Sequence, residues 1–437
     1  MKKYATFIIG LAFLFSGNLR AQDIPGKWDL ESCIQYALDH NIQVRKSKIE
    51  LEQSQVDTKT AKAQLFPSLS ASVSQGFVNY PSSDVSGNNS YSGNYSVNAN
   101  WKLFDGNKRV NTLKQQKIQD EVQQLNIEES EDDIEIAITQ TYMQVLYAYE
   151  SIRISENTLE VSGQQLDRAR QLQEAGSISI SDVAQLESQY SSDKYQLVVA
   201  QTNLDNYKLQ LKQLLELDIL EEMDVVIPQL SDESVLIPLP NKETVYNTSL
   251  AVMPQIKSSQ LNISIAELEK KKAKAGYLPS LSLNAGIGTG HLSGSDYTFG
   301  SQIWNKFNES IGLTLSIPIF SNRENKSAVQ KAQLSIQASQ LELLNSQKAL
   351  LKTVEGIYLD ATSSQDKYSA AVEQVKAQEE SFRLVSEQFT LGMKNTVELL
   401  TEQNNLKNAR QEALQSKYMA ILNIQLLNFY QNKPISI

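Results

Sequence analysis

The chain is written twice. Ala63-Gln64-Leu65-Phe66-Pro67-Ser68-Leu69-Ser70 returns as Ala275-Gly276-Tyr277-Leu278-Pro279-Ser280-Leu281-Ser282, Leu103-Phe104 returns as Ile319-Phe320, and Gly176 returns as Gly392. The last two pairs share one spacing and the first departs from it by only four residues. A fold that suits one half must therefore suit the other, and the two must pack as related units. The halves cover 22–217 and 242–437, joined by a connector at 218–241 that carries Pro228, Pro238 and Pro240 and reads as irregular with short extended pieces.

Each half predicts the same succession. A helix ends near Phe66 or Leu278, where Pro67 or Pro279 disfavours its continuation. Strands follow over about 68–80 and 93–104, and again over about 280–291 and 308–320. A proline-free helix then covers 107–174 or 323–390, long enough for about 100 Å at ~1.5 Å per residue. A glycine turn leads into a shorter helix. In the first of these, Val183, Leu186, Tyr190, Leu197, Ala200, Leu204, Tyr207, Leu211 and Leu214 make a heptad-like stripe that calls for helix-on-helix packing. An ordinary coiled coil explains these helices but not the strands.

The strands alternate with period two. Tyr95, Val97, Ala99, Trp101 and Leu103 face one way and Ser96, Asn98, Asn100 and Lys102 the other. Ile311, Leu313, Leu315, Ile317 and Ile319 form a second apolar row, Leu69, Ala71, Val73 and Phe77 a third, and Leu281, Leu283, Ala285 and Ile287 a fourth. Such lengths suit tilted membrane strands. Aromatics bracket them as interfacial girdles do, with Phe66, Phe104, Tyr277 and Phe320 at one end and Tyr80, Tyr91, Trp304 and Phe307 at the other. The joining loops, 81–92 and 292–307, are rich in Ser, Gly and Asn. Four strands cannot close a barrel, and unpaired backbone cannot face lipid, so several chains must close it together. Two would give eight strands and a filled interior; three would give twelve and room for an aqueous lumen.

Residues 1–21 read as a cleaved secretory signal, with Lys2 and Lys3 before a short apolar run and Ala21 before the cut. The single cysteine, Cys33, excludes an internal disulfide and a Cys-rich zinc site, and is expected to pack into a helix face. Two histidines, His40 and His291, leave little for His-based catalysis or a metal centre, and a net charge of −10 argues against a broad nucleic-acid surface. No phosphate loop, nucleophile elbow or metal-ligand spacing is present, so neither an enzyme nor a cofactor is expected.

In order and duplicated, these motifs resemble the TolC-like outer-membrane efflux family. The match runs from Trp28-Asp29-Leu30-Glu31 and Ala37-Leu38-Asp39-His40-Asn41 through both Pro-Ser-Leu strand entries, Leu103-Phe104-Asp105-Gly106 and both glycine turns. The resemblance implies an α+β homotrimer. Its 12-stranded barrel, four strands per chain, would sit in the outer membrane of a Gram-negative bacterium, above a long α-helical tunnel in the periplasm. It further implies a passive exit duct for efflux or type I secretion, working with a periplasmic adaptor and an inner-membrane RND or ABC pump. An exported coiled-coil scaffold or surface fibre without a pore is the alternative.

The turns around Gly176-Ser177 and Gly392-Met393 would form the tunnel mouth and dock the adaptor. Both glycines suit a helix C-cap, and Asp182 and Asn395 or Thr396 could cap the returning helices. The resemblance aligns Lys394 with a gate arginine of the family, Glu398 with the first acid of a ring, and Asp182 with an acidic gate partner. It implies a Lys394–Asp182 ion pair and a cation-attracting Glu398 ring. Phe389 lacks the hydroxyl of the family's gate tyrosine, and Thr401 replaces its second ring acid. Two charge clusters read most simply as solvated. Glu128, Glu129, Glu131, Asp132, Asp133 and Glu135 suit an outer helix face or, alternatively, a lumen. Lys270, Lys271, Lys272 and Lys274 complement a helix dipole near inner-leaflet headgroups, as Lys59 and Lys62 do in the other half.

Overall fold

The computed structural model describes residues 27–436 apart from 82–88, 219, 220, 222 and 229. The signal expected at 1–21 and part of the first outer loop lie outside these residues. The first half runs α1 (Leu30–His40), α2 (Ile42–Ala63), β1 (Ser68–Asn79), β2 (Asn89–Phe104), α3 (Lys108–Glu174) and α4 (Ile180–Leu214). The second runs α5 (Lys242–Val252), α6 (Pro254–Ala275), β3 (Ser280–Leu292), α7 (Phe299–Asn305), β4 (Asn308–Ser316), α8 (Glu324–Thr390) and α9 (Thr396–Phe429). Apart from α7 the two successions are the same, and α3 and α8 are each 67 residues long. Among the described residues no helix is long and apolar enough to cross a membrane.

The four strands form one antiparallel sheet in the order β1-β2-β3-β4. Its register gathers the apolar rows on one face: Leu69, Ala71 and Val73 lie opposite Ala99, Val97 and Tyr95, which lie opposite Ala285, Ile287 and Thr289, with Ile311 opposite Ala285. Serine, asparagine and glycine make up most of the other face, which also carries Lys102, and β1 and β4 leave open edges. Three details depart from the sequence reading. β2 begins at Asn89 rather than 93, because its ladder with β1 continues to Asn79↔Asn89. A bulge between Lys102 and Phe104 takes Leu103 out of the pairing and returns Phe104 to the apolar row, opposite Leu281. β4 ends at Ser316, short of 320, since Pro318 cannot donate to a ladder. The unforeseen α7 occupies the space beside the end of β3 that β4 does not reach: the Thr289 hydroxyl donates to the Ile303 carbonyl, and Gln302 accepts from the Leu292 amide at 2.8 Å.

The four aromatics expected to form one girdle, Phe66, Phe104, Tyr277 and Phe320, are exposed at the junction of sheet and helices, Phe320 at 83%. Chain reversal there uses two successive left-handed residues in each half, Gly106-Asn107 and Asn322-Arg323. Gly106 is required, since a Cβ would come within 3.0 Å of the Leu278 side chain. Arg109 ties the first junction together. Its Nε donates to Asp105 at 3.0 Å, one terminal nitrogen to the Gln64 carbonyl at 2.9 Å, and the other to the Lys102 carbonyl. One guanidinium thus joins the ends of α2 and β2 to the start of α3.

The helices pack as antiparallel hairpins: α3 takes α2 along its upper part and α4 along its lower part, as α8 takes α6 and α9. At mid-height lies the main apolar core, including Trp28, Cys33, Ile138, Tyr142, Leu146, Leu211, Val354 and Leu427. The connector is strapped over it. Trp28 exchanges backbone hydrogen bonds with Asp224 and Val226, the Tyr142 hydroxyl donates to the Val226 carbonyl at 2.6 Å, and Gln365 donates to the carbonyls of Val235 and Ile237. Cys33 is fully buried in this core as expected, and burial pushes its thiol up to about 12, so it is unreactive.

Arg109→Ala should destabilise the fold by about 2 kcal/mol, the scale of hydrogen bonds to a charged group, and Arg109→Lys should recover little of it because an ammonium cannot reach three acceptors in a planar fork. Thermal unfolding of the detergent-solubilised protein measures both; equal stability of Arg109→Lys and the parent would refute the clamp.

Candidate functional site at the helical tip

Both long helices end the same way. Gly176 and Gly392 adopt φ of +75° and +74°, and the following amides reach back five residues, Ser177 to the Leu172 carbonyl and Met393 to the Gln388 carbonyl, each at 2.8 Å. This is the Schellman closure that a glycine at C′ permits. The return helices begin on capping boxes. Ser179 Oγ accepts from the Asp182 amide at 3.2 Å while Asp182 Oδ2 accepts from the Ser179 amide at 3.1 Å. Asn395 Oδ1 accepts from the Glu398 amide at 2.9 Å while Glu398 Oε2 accepts from the Asn395 amide at 3.2 Å. The two acids expected at the gate are therefore, first of all, the N3 residues of two caps.

Within the chain, the Lys394–Asp182 pair is not formed. Lys394 donates to Glu398 Oε1 at 2.5 Å, a pair four residues apart on one helix. Both Asp182 oxygens are already engaged, Oδ2 by Ser179 and Oδ1 by the Thr396 hydroxyl at 2.8 Å. The link between the two hairpins is thus Asp182–Thr396, neutral on one side, with Thr396 only 1% exposed. Hydrogen bonds from Ser179 and then Thr396 hold the Asp182 carboxyl below the ordinary carboxylate range, and Lys394 does the same for Glu398. Glu398 thereby has its countercharge in its own chain, four residues away.

Phe389, which lacks the expected hydroxyl, packs instead with Leu166, Ala169, Val183, Leu186 and Leu399 in an apolar cluster between the hairpins. Above it are two links that the sequence reading missed. Asp193, 1% exposed on α4, pairs with Lys407 of α9 at 3.4 Å and accepts from Gln189. Arg410 of α9 reaches Asn157 of α3 and Glu379 of α8. A charged residue inside an otherwise heptad-like stripe, as at Asp193, is the signal that could have found the first. At the turns themselves Ile180, Leu391, Met393 and Val397 are exposed, with Ser177 beside them. Higher up, the acidic stretch of α3 is half-buried rather than freely solvated. Glu128, Glu131, Asp132 and Glu135 line a cavity of about 430 Å³ together with Lys257 and Lys433. Burial, then Glu135 and its acidic neighbours, pushes Asp132 up to about 7.

The outer membrane efflux protein model matches residues 33–216 and again 245–427, once per half. The chain belongs to that family. It is an outer-membrane channel protein whose helical part extends into the periplasm. The outer membrane protein TolC of Escherichia coli (strain K12) is 24% identical over 436 residues, covering 97% of this chain and 85% of that protein. The proteases secretion protein PrtF of Dickeya chrysanthemi is 22% identical, covering 96% and 90%. Among solved structures CusC superposes with a TM-score of 0.81 at 18% identity, over 93% of this chain and 92% of that one. Efflux and secretion proteins both occur among the relatives of this efflux-family channel.

Two outcomes are expected. Thr396→Val keeps the side-chain volume but removes the donor to Asp182; it should raise closed-state conductance in planar bilayers, whereas Lys394→Ala should not, and the reverse ranking would restore the charged lock. Asp132 has a folded pKa above its ordinary 3.8, so ionising it opposes folding: its stability contribution is complete below about 3.8 and is lost as pH rises through about 7. Asp132→Asn should therefore stabilise the protein at pH 8 by about 1–2 kcal/mol, after allowance for solvent screening, and leave it unchanged at pH 4. Melting at the two pH values tests this, and an equal effect at both would refute it.

Proposed function

We propose that three copies of this chain form a passive exit duct for an efflux or type I secretion assembly, closed at rest by the helical tips. The observation that carries this reading is a four-stranded, two-faced sheet with both edges open, mounted on two unbroken 67-residue helices. Lipid on the apolar face forbids free edges, and three sheets joined β1 to β4 give twelve strands and an aqueous lumen. The family relatives in efflux and secretion support the same use. With no energy-coupling motif in the chain, direction must come from an inner-membrane pump of the RND or ABC type, reached through a periplasmic adaptor.

The adaptor surface is the ring of turns. Ile180, Leu391, Met393 and Val397 are exposed apolar side chains at the end of a polar tunnel, beside Gly176, Ser177 and Gly392. The gate, in this reading, is the Asp182–Thr396 link between hairpins, supported by the Phe389 cluster, with the Lys394–Glu398 pair beside it setting the charge of the mouth.

A photoreactive residue at Ser177 or Met393, crosslinked in cells and read by mass spectrometry, should capture a periplasmic adaptor. Capture of neighbouring copies alone, in a well-assembled trimer, would overturn adaptor docking at the tip.

A further inference from the structure

The polar face of the sheet is neutral along nearly its whole height. Beyond Lys102, its paired positions are serine, asparagine, glycine and Thr314, together with the uncharged apolar Val78 at the far end of β1 and Leu292 at the far end of β3. Its amides lie flat against the wall. Asn98 sits over Gly286, where a Cβ would come within 2.9 Å of its Oδ1, and Asn94 sits over Gly290 at the same distance. Asn100 donates across to Asn284 at 2.8 Å, and Ser72 and Ser96 share a hydrogen bond at 2.8 Å. The glycines make room for the asparagines, so neither projects far from the backbone.

Lys102 breaks this pattern. It pairs with Ser282 on the polar face, one residue before the bulge, and its side chain is exposed. Among the described strand residues it is the one charged side chain on that face; Glu309, opposite Ile287, lies on the apolar side. It is also the longest side chain there, on a wall whose other members are short or folded flat.

We infer that Lys102, repeated by symmetry at the base of the barrel, is an electrostatic filter that favours anions over cations in the membrane-spanning part of the path. This deepens the trimeric-duct reading and rests on it. Twelve strands about 4.8 Å apart, tilted by about 40°, enclose a barrel about 24 Å across. Three extended lysines at its base leave no point of the cross-section much farther than one Debye length, about 8–10 Å, from a positive charge. Neutral serine and asparagine supply no opposing charge. Unlike Glu398 at the tip, which has Lys394 beside it, Lys102 has no acidic partner among the polar-face residues of the strands. The membrane-spanning part of the path therefore begins at a ring of positive charge, and anionic cargo is favoured where it enters the barrel.

The test is the potassium-to-chloride permeability ratio of the purified full-length channel in planar bilayers under a salt gradient. Lys102→Gln should raise the ratio roughly fourfold, the bias that three screened charges at such distances exert. Lys102→Glu should raise it further, and Lys102→Arg should leave it at the parent value. Each variant is first checked for the assembled trimer on a native gel. Because the arginine variant preserves charge, a merely structural role would not yield this order. Conducting trimers with one ratio throughout would overturn the filter while leaving the duct intact. Assembled protein that passes no ions even when the tip link is released by Thr396→Val in the same chain would overturn the duct, and the filter with it.

Discussion

A backbone amide in hydrocarbon has no water to turn to, and this determines the architecture. The sheet carries lipid-compatible side chains on one face and hydrophilic ones on the other, so it must lie in a bilayer as part of a closed wall. One chain offers four strands and two raw edges. Closure by copies follows, and so does the helical arrangement, because four strands of each sheet feed rods that must continue the same tube. The turns at the junction, with their paired left-handed residues and the Arg109 clamp, are where a wall of hydrogen-bonded neighbours becomes a wall of packed helices.

The two walls are held by different physics, and the chain divides its residues accordingly. In the sheet the ladder supplies cohesion and the side chains are free to serve lipid and water, which is why so few residues of the strands are buried within one chain. In the helical part cohesion comes from side chains. The apolar core at mid-height, strapped by the connector, fastens the two hairpins together, while nearer the tip the joints become sparse: Asp193 with Lys407, Arg410 with Asn157 and Glu379, the small apolar cluster around Phe389, then Asp182 with Thr396. Fastening is strongest where the tube must stay round and weakest where it must part.

Much of this was legible in the residues because periodicity and proline report on backbone fate. The duplication gave the element order, Pro67 and Pro279 the ends of α2 and α6, and period-two alternation the sheet and its faces. What escaped depended on local competition among side chains. The helix α7 is short and lies in a Ser- and Gly-rich loop whose composition says only that it is exposed. The bulge at Leu103 is a matter of one residue in the register, invisible to a pattern that alternates through it. The tip pairing went astray because alignment by resemblance says which residues are near one another and not which hydrogen bonds win. Lys394 and Glu398 are four apart on one helix, and Asp182 is three after a serine N-cap; both rules are local, and both outrank a longer reach between hairpins.

The unbroken length of α3 and α8 has a mechanical consequence. From the strapped core at Tyr142 to the turn at Gly176 the first helix runs for about 50 Å without a proline, at ~1.5 Å per residue. It acts as a lever with its fulcrum at mid-height. A tilt of about 10° there displaces the far end by about 9 Å, the distance between the axes of two packed helices. Shortening or kinking that arm would reduce the travel in proportion, so the stiffness of the rod, as much as any residue at its end, sets how wide the aperture can swing.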